Sequence, residues 1–145
     1  KDDEYRAKEQ LATIQDLLKK SKYKLKDYKL PVIPSSYYVE LKEAQDAIRE
    51  IAKELEKKPI VIKILNIRVD TARDLVFKIY NKTNDMIKES MMSENMIVYG
   101  NRYRSLSPDI EQELEKATSL FYKGQYAKSF EISKKAVENI ESESK

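Results

Sequence analysis

The chain has 145 residues, enough for one ordinary domain or a few helical repeats. Charged residues make up 37% of it, but there are only 2 glycines and 4 prolines, too few breakers for a many-stranded β fold, so the composition favours long helices. The 28 Lys and Arg against 25 Asp and Glu leave a formal net charge of +3, a near balance that gives no nucleic-acid signal.

The first predicted helix covers about residues 3–28. Its apolar line, Leu11, Ile14, Leu18, Ser21, Leu25 and Tyr28, alternates steps of three and four residues, the spacing of a coiled-coil seam. The opening Lys1-Asp2-Asp3-Glu4 lacks an initiator Met and already reads as charged helix, so the chain is expected to be a piece of something longer. The stretch Leu30-Pro31-Val32-Ile33-Pro34-Ser35-Ser36 cannot continue a helix, because proline removes a donor and biases its predecessor to extended geometry. With Ser36 as N-cap, a second helix is predicted over 37–58, on the seam Tyr37, Leu41, Ala44, Ile48, Ile51 and Leu55.

Pro59 starts or kinks a third helix, predicted over 60–99. Its seam is the longest: Ile62, Leu65, Val69, Ala72, Val76, Ile79, Thr83, Met86, Ser90, Ser93 and Ile97, with Gly100 as its stop. Stripes of this kind cannot be buried by isolated helices. Short connectors make successive helices antiparallel, so residues 1–100 are expected to form a spectrin-like three-helix bundle. Ser21, Ser90 and Ser93 mark places where that bundle is thin, wet or in contact with something else. After a connector at 101–107, Ser107-Pro108 gives an N-cap with proline at the first helical position. A helical hairpin over 108–145 follows, turning at Gly124, with Leu114, Ala117 and Phe121 on one inner face and Ala127, Phe130, Val137 and Ile140 on the other; Glu141 to Lys145 are expected to fray. The fold class is therefore all-α: an antiparallel three-helix coiled-coil bundle followed by a C-terminal hairpin.

Function classes narrow quickly. With no His and no Cys, Ser-His and Cys-His nucleophilic sites, histidine and thiolate metal sites and disulfides are all excluded, and a reducing, cytosolic compartment fits. Carboxylate pairs such as Glu50/Glu54 and Glu111/Glu115 read as solvated helix faces, and no Gly-rich phosphate loop is present, so neither an enzyme nor a cofactor is expected. No apolar run approaches the ~20 residues needed to cross a bilayer, and no signal-peptide pattern opens the chain. Lys19, Lys20, Lys22, Lys24, Lys26 and Lys29 form the densest basic stretch; they spread around the helix and read as a solvated face, with anionic lipid or an acidic peptide as the sharper alternative. The run Ala117 to Ala127 resembles half of a tetratricopeptide unit, and a single hairpin reads as a terminal cap or dock.

The most informative segment is Tyr99-Gly100-Asn101-Arg102-Tyr103-Arg104-Ser105, where tyrosines and arginines, the types that dominate interface hot spots, crowd a helix-ending connector. Tyr99, Asn101, Arg102, Tyr103 and Arg104 are the candidate interaction patch. The competing reading is that the tyrosines pack the bundle to the hairpin while the arginines cap carbonyls at the end of the third helix. Together with Leu30-Pro31-Val32-Ile33-Pro34, Lys58-Pro59-Ile60 and Ser93-Glu94-Asn95-Met96-Ile97, this segment resembles the C-terminal part of EzrA, the septation ring formation regulator of low-GC Gram-positive bacteria. The resemblance covers nearly the whole chain.

It implies a single-pass membrane protein at the division septum, with an N-terminal transmembrane helix absent here and a cytoplasmic array of spectrin-like repeats. Such a protein helps position and limit assembly of the tubulin-like division protein FtsZ, through contacts with FtsZ or other division proteins. The family's glutamine-asparagine-arginine patch carries over to Asn101 and Arg102, with Tyr103 and Arg104 adjoining; Val98 stands where the glutamine is expected, which leaves the arginine contacts. The alternative is a rigid spacer or self-associating scaffold, with partner sites elsewhere. Nucleic acid is not expected as a partner.

Overall fold

The structure, a computed structural model, describes residues 2–143. Five α-helices and one 3-10 turn account for nearly all of them, and no strand occurs among the described residues: α1 Asp2–Tyr28, α2 Ser35–Glu56, α3 Ile62–Gly100, the 3-10 turn Asn101–Leu106, α4 Pro108–Tyr122 and α5 Tyr126–Glu143. The chain is all-α, as its composition and periodicity predict. It separates into two compact units that part inside α3, between Asn84 and Asp85.

The first unit holds α1, α2 and the leading part of α3. Glu9 to Leu17 lie beside Arg73, Val76 and Phe77, and Lys24 donates to Asn84 Oδ1 at 2.8 Å, so α1 and α3 run parallel. Tyr37 meets Thr83 at 2.9 Å, Glu40 pairs with Lys82 at 2.6 Å and Glu54 lies 3.9 Å from Arg68, which sets α2 antiparallel to both. The core is the predicted seam: Ile14, Leu18, Ser21 and Leu25 from α1, Tyr37, Ala44 and Ile51 from α2, and Leu65, Val69, Ala72, Val76 and Ile79 from α3 are all buried. Leu11, Tyr28, Leu41, Ile48 and Leu55 are only half-buried.

Besides Ser21, two polar side chains join this core for different reasons. Thr83 donates its hydroxyl to Ile79 O at 2.7 Å, which leaves its oxygen free to accept from Tyr37. Glu54, 3% exposed, keeps one carboxylate oxygen on Lys57 at 2.8 Å, while the other has no hydrogen-bond partner. Periodicity does not select Glu54, since acids are expected outside unless paired.

The second unit is where the sequence expectation and the structure differ. The boundary does not fall at residue 100; the trailing part of α3 packs with α4 and α5 as a second three-helix group, and the connector Lys29–Pro34 belongs to it too. The small seam residues explain this. Ser93 is fully buried and donates to Tyr126 O at 2.6 Å, so α3 here lies against α5 backbone where a leucine would have held it away. Ser129 does the same between the hairpin helices, donating to Ala117 O at 2.8 Å. The inner face of α5 is correspondingly rotated: Tyr126, Ser129, Ser133, Ala136 and Val137 are buried, while Ala127, expected inside, is exposed. Glu141, expected to fray, is helical and partnered.

Element ends also differ in detail. Helix α2 begins at Ser35, so Ser36 lies in the first turn, where its hydroxyl accepts from Lys82 at 3.2 Å. Helix α3 begins at Ile62, after a bend at residues 57–59 that contains Pro59. Gly100 does not stop α3 with a left-handed residue; its φ of −67° is right-handed and the chain winds on into the 3-10 turn. The left-handed glycine is Gly124, with φ 80°, which ends α4 as predicted.

At Gly124 a Cβ would also meet Pro34 Cγ at 3.1 Å and Val32 Cγ1 at 3.3 Å. Gly124→Ala is therefore expected to destabilise the chain by roughly 1–2 kcal/mol from the backbone alone, with the crowded connector adding to it. Urea unfolding followed by circular dichroism measures this.

Candidate functional site

The absence of a side chain at Gly100 brings the end of α3 close to the hairpin: a Cβ there would lie 3.0 Å from both Leu114 and Val137. Beyond it, Asn101–Leu106 winds as a 3-10 turn, in which residues three apart eclipse one another. Asn101 and Arg104 are so placed, and Arg104 Nε donates to Asn101 Oδ1 at 2.7 Å. The same guanidinium reaches Glu111, in the first turn of α4, with Nη1 to Oε1 at 3.3 Å. Ser107 then caps α4 by accepting from Asp109 N at 3.2 Å, with Pro108 at the first position, as the sequence predicts.

Tyr99 and Tyr103 are one helical turn apart, their rings edge to face with centroids 6.1 Å apart. Both donate to the same oxygen of Glu141 on α5, Tyr103 at 2.7 Å. Tyr103 packs on Ile110, Leu114 and Ala136. The shared carboxylate makes loss of the Tyr103 proton unfavourable: hydrogen bonds to Glu141 and then Tyr99 push its phenol well above the ordinary tyrosine range. Arg102 turns the other way. Its guanidinium lies over the Tyr99 ring, 4.0 Å from the centroid, exposed and with no ion pair among the described residues.

All five predicted patch residues are thus brought together, but they divide. Tyr103 and Arg104 are spent on holding the turn against α4 and α5, and Asn101, itself exposed, orients Arg104. Tyr99 and Arg102 form the face toward solvent, beside Val98, which is 63% exposed. The arginines bond side chains and a ring here, in place of the carbonyl caps of the competing reading, while the tyrosines do tie α3 to the hairpin. Glu141 and Glu111 are the partners that the sequence does not single out. The four-residue spacing of Tyr99 and Tyr103 signals a common partner; choosing it among the acids of the chain needs the packing of α5.

Among the described residues no group of acids is placed to hold a metal ion, and no helix is long and apolar enough to cross a membrane.

Because two hydroxyls share Glu141, the folded chain should retain the Tyr103 proton at pH values where the unfolded chain has lost it. This contribution to stability is complete below about pH 10, the ordinary tyrosine value, and is lost as pH rises beyond it. Phenolate absorbance titrations of the parent, Tyr103→Phe and Glu141→Gln chains measure it: the highest-titrating tyrosine should vanish in the first variant and fall toward the ordinary range in the second.

Over residues 1–145 the chain matches the family described as "Septation ring formation regulator, EzrA". The septation ring formation regulators of Geobacillus sp. (strain WCH70) and Geobacillus kaustophilus are each 31% identical to it over 135 residues, 93% of this chain and 24% of theirs. That of Staphylococcus epidermidis (strain RP62A) is 26% identical over 141 residues, 97% of this chain and 25% of the relative. The chain therefore spans about a quarter of the length of these relatives. No solved structure matches it. A match along its whole length, together with an all-helical seam architecture, means that the chain belongs to the EzrA family of septation ring formation regulators.

Proposed function

We propose that this chain acts in bacterial cell division as a non-enzymatic part of a septation regulator, modulating FtsZ ring formation and placement through protein contacts at the face formed by Arg102 and Tyr99. The septation role for which its relatives are named supports the setting. The observation that carries the site is Arg102 itself: a planar cation seated on an aromatic ring, open to solvent and with no carboxylate partner among the described residues, beside a second arginine that is already paired. A guanidinium held this way loses little freedom on binding a carboxylate in the bidentate mode. Tyr103, Arg104 and Glu141 position it. The membrane anchor of the whole protein lies elsewhere in this reading, and the helical units set the reach of the patch from the septal membrane.

A scaffold or self-associating spacer is the second reading, favoured by α3, whose 39 residues span roughly 60 Å at ~1.5 Å per residue and serve both units.

Sedimentation of GTP-assembled FtsZ with this chain separates the two. The proposal expects the chain to pellet with filaments and the Arg102→Glu variant, matched in helicity and unfolding midpoint, to lose at least about tenfold in affinity, as charge reversal at a central contact does. Equal binding by the variant, or none by the parent, defeats the patch and leaves the scaffold.

A further inference from the structure

The lysines of α1 are not spread evenly once the bundle forms. Lys20 pairs with Asp16 at 3.2 Å, and Lys24 turns to α3, bonding Asn84 and Tyr80. Lys19 and Lys22 go elsewhere: they line a trough of about 480 Å³ between α1 and α2, opposite Arg49. Gln15 and Gln45 complete its polar rim, and among the described residues no carboxylate lines it. Lys26 continues the helical line of Lys19 and Lys22, and Lys42 continues that of Gln45 and Arg49, since steps of three and four residues stay on one face.

Asp46 neutralises part of the α2 side, bonding Lys42 at 2.9 Å and Arg49 at 2.7 Å. Lys19, Lys22 and Lys26 have no ion pair among the described residues, and all three are exposed. The floor of the trough is apolar. Leu18 is buried there and Ile48 half-buried. Leu41 and Leu55 stand one heptad to either side of Ile48 and are also half-buried, whereas their seam neighbours Tyr37, Ala44 and Ile51 are fully covered. One apolar line of α2 is thus left partly uncovered, beside a row of unpaired cations.

We propose that this trough docks an amphipathic helix of a partner protein, with leucine-like residues at heptad spacing on its inner face and Asp or Glu along its flanks. Charge complementarity selects the acidic partner: its carboxylates meet Lys19, Lys22 and Lys26, the cations without partners of their own. The shape selects a helix over a lipid surface. A rod lies in a trough between two helices and meets Ile48 at its floor; a flat bilayer touches only the ridges. The surface shares no residue with the Arg102 patch, so the two assignments stand or fall separately.

The test uses fluorescence anisotropy with a labelled three-heptad peptide carrying Leu at the seam positions and Glu beside them, and with a peptide in which every Glu is Gln. The Glu peptide should bind, more weakly as salt rises, and Lys19→Glu/Lys22→Glu should weaken it about tenfold or more. Lys63→Glu/Lys88→Glu, an equal charge change elsewhere, should leave binding unaltered. Failure of the Glu peptide to bind, equal binding of the Gln peptide, or equal loss in both variants overturns the proposal. Two further outcomes also overturn it. Phosphatidylglycerol vesicles that bind the parent but not Lys19→Glu/Lys22→Glu, without peptide binding, make the face a lipid site, and a sedimentation-equilibrium dimer abolished by the same variant makes it a self-association surface.

Discussion

Along α3, every third or fourth residue from Leu65 to Ser93 is buried, in unbroken alternation: Leu65, Val69, Ala72, Val76, Ile79, Thr83, Met86, Ser90, Ser93. Everything else in the structure leans on that line. Its first half is bulky, and there α1 and α2 cover it with their own apolar stripes. Its second half shrinks to serines, and there α5 comes close enough for its backbone to accept a hydrogen bond from Ser93. A change in side-chain volume along one face thus lets a single helix serve two groups of partners. Large-to-small substitution in such a seam costs on the order of 2–5 kcal/mol where the space cannot collapse. Ser93 in the second half is no such defect, because the backbone of α5 sits where its small volume allows.

Most of the helical seams are legible in the sequence, since three-four alternation marks the buried face whatever the residue sizes. What periodicity cannot give is the identity of the partner across each face. Ser90 and Ser93 look like weak points when read as members of one bundle; they are contacts with, or lie on the face toward, another set of helices. The same ignorance hides the rotation of α5. Serine scores as polar, so Ser129 and Ser133 pass for surface and Ala127 for core, until the close approach at Ala117 O makes serine the residue that fits. Gly100 is similarly ambiguous: glycine ends helices by adopting φ > 0, but it also admits a neighbouring helix, and here it does only the latter.

The five candidate residues are singled out by residue type, but their division of labour is not. Five side chains in a row of polar and aromatic character have no inside or outside until the turn is wound. The 3-10 geometry stacks Asn101 on Arg104 and so turns Arg104 toward Glu111, while Arg102 falls on the ring of Tyr99. Two acids from distant parts of the sequence, Glu111 and Glu141, thereby decide which arginine remains available.

Tyr126 offers a last consequence. Its hydroxyl accepts from Val32 N at 3.0 Å and donates to Val32 O, so one side chain satisfies both backbone groups of a residue 94 positions earlier. During synthesis Val32 emerges long before Tyr126 exists, and its backbone must rely on water until the distant hairpin has closed. Helices α1 and α2 can form by local contacts alone, whereas the short segment that joins them reaches its final conformation late, with a contact of long sequence separation. The order in which the chain acquires its structure is therefore not the order in which it is made.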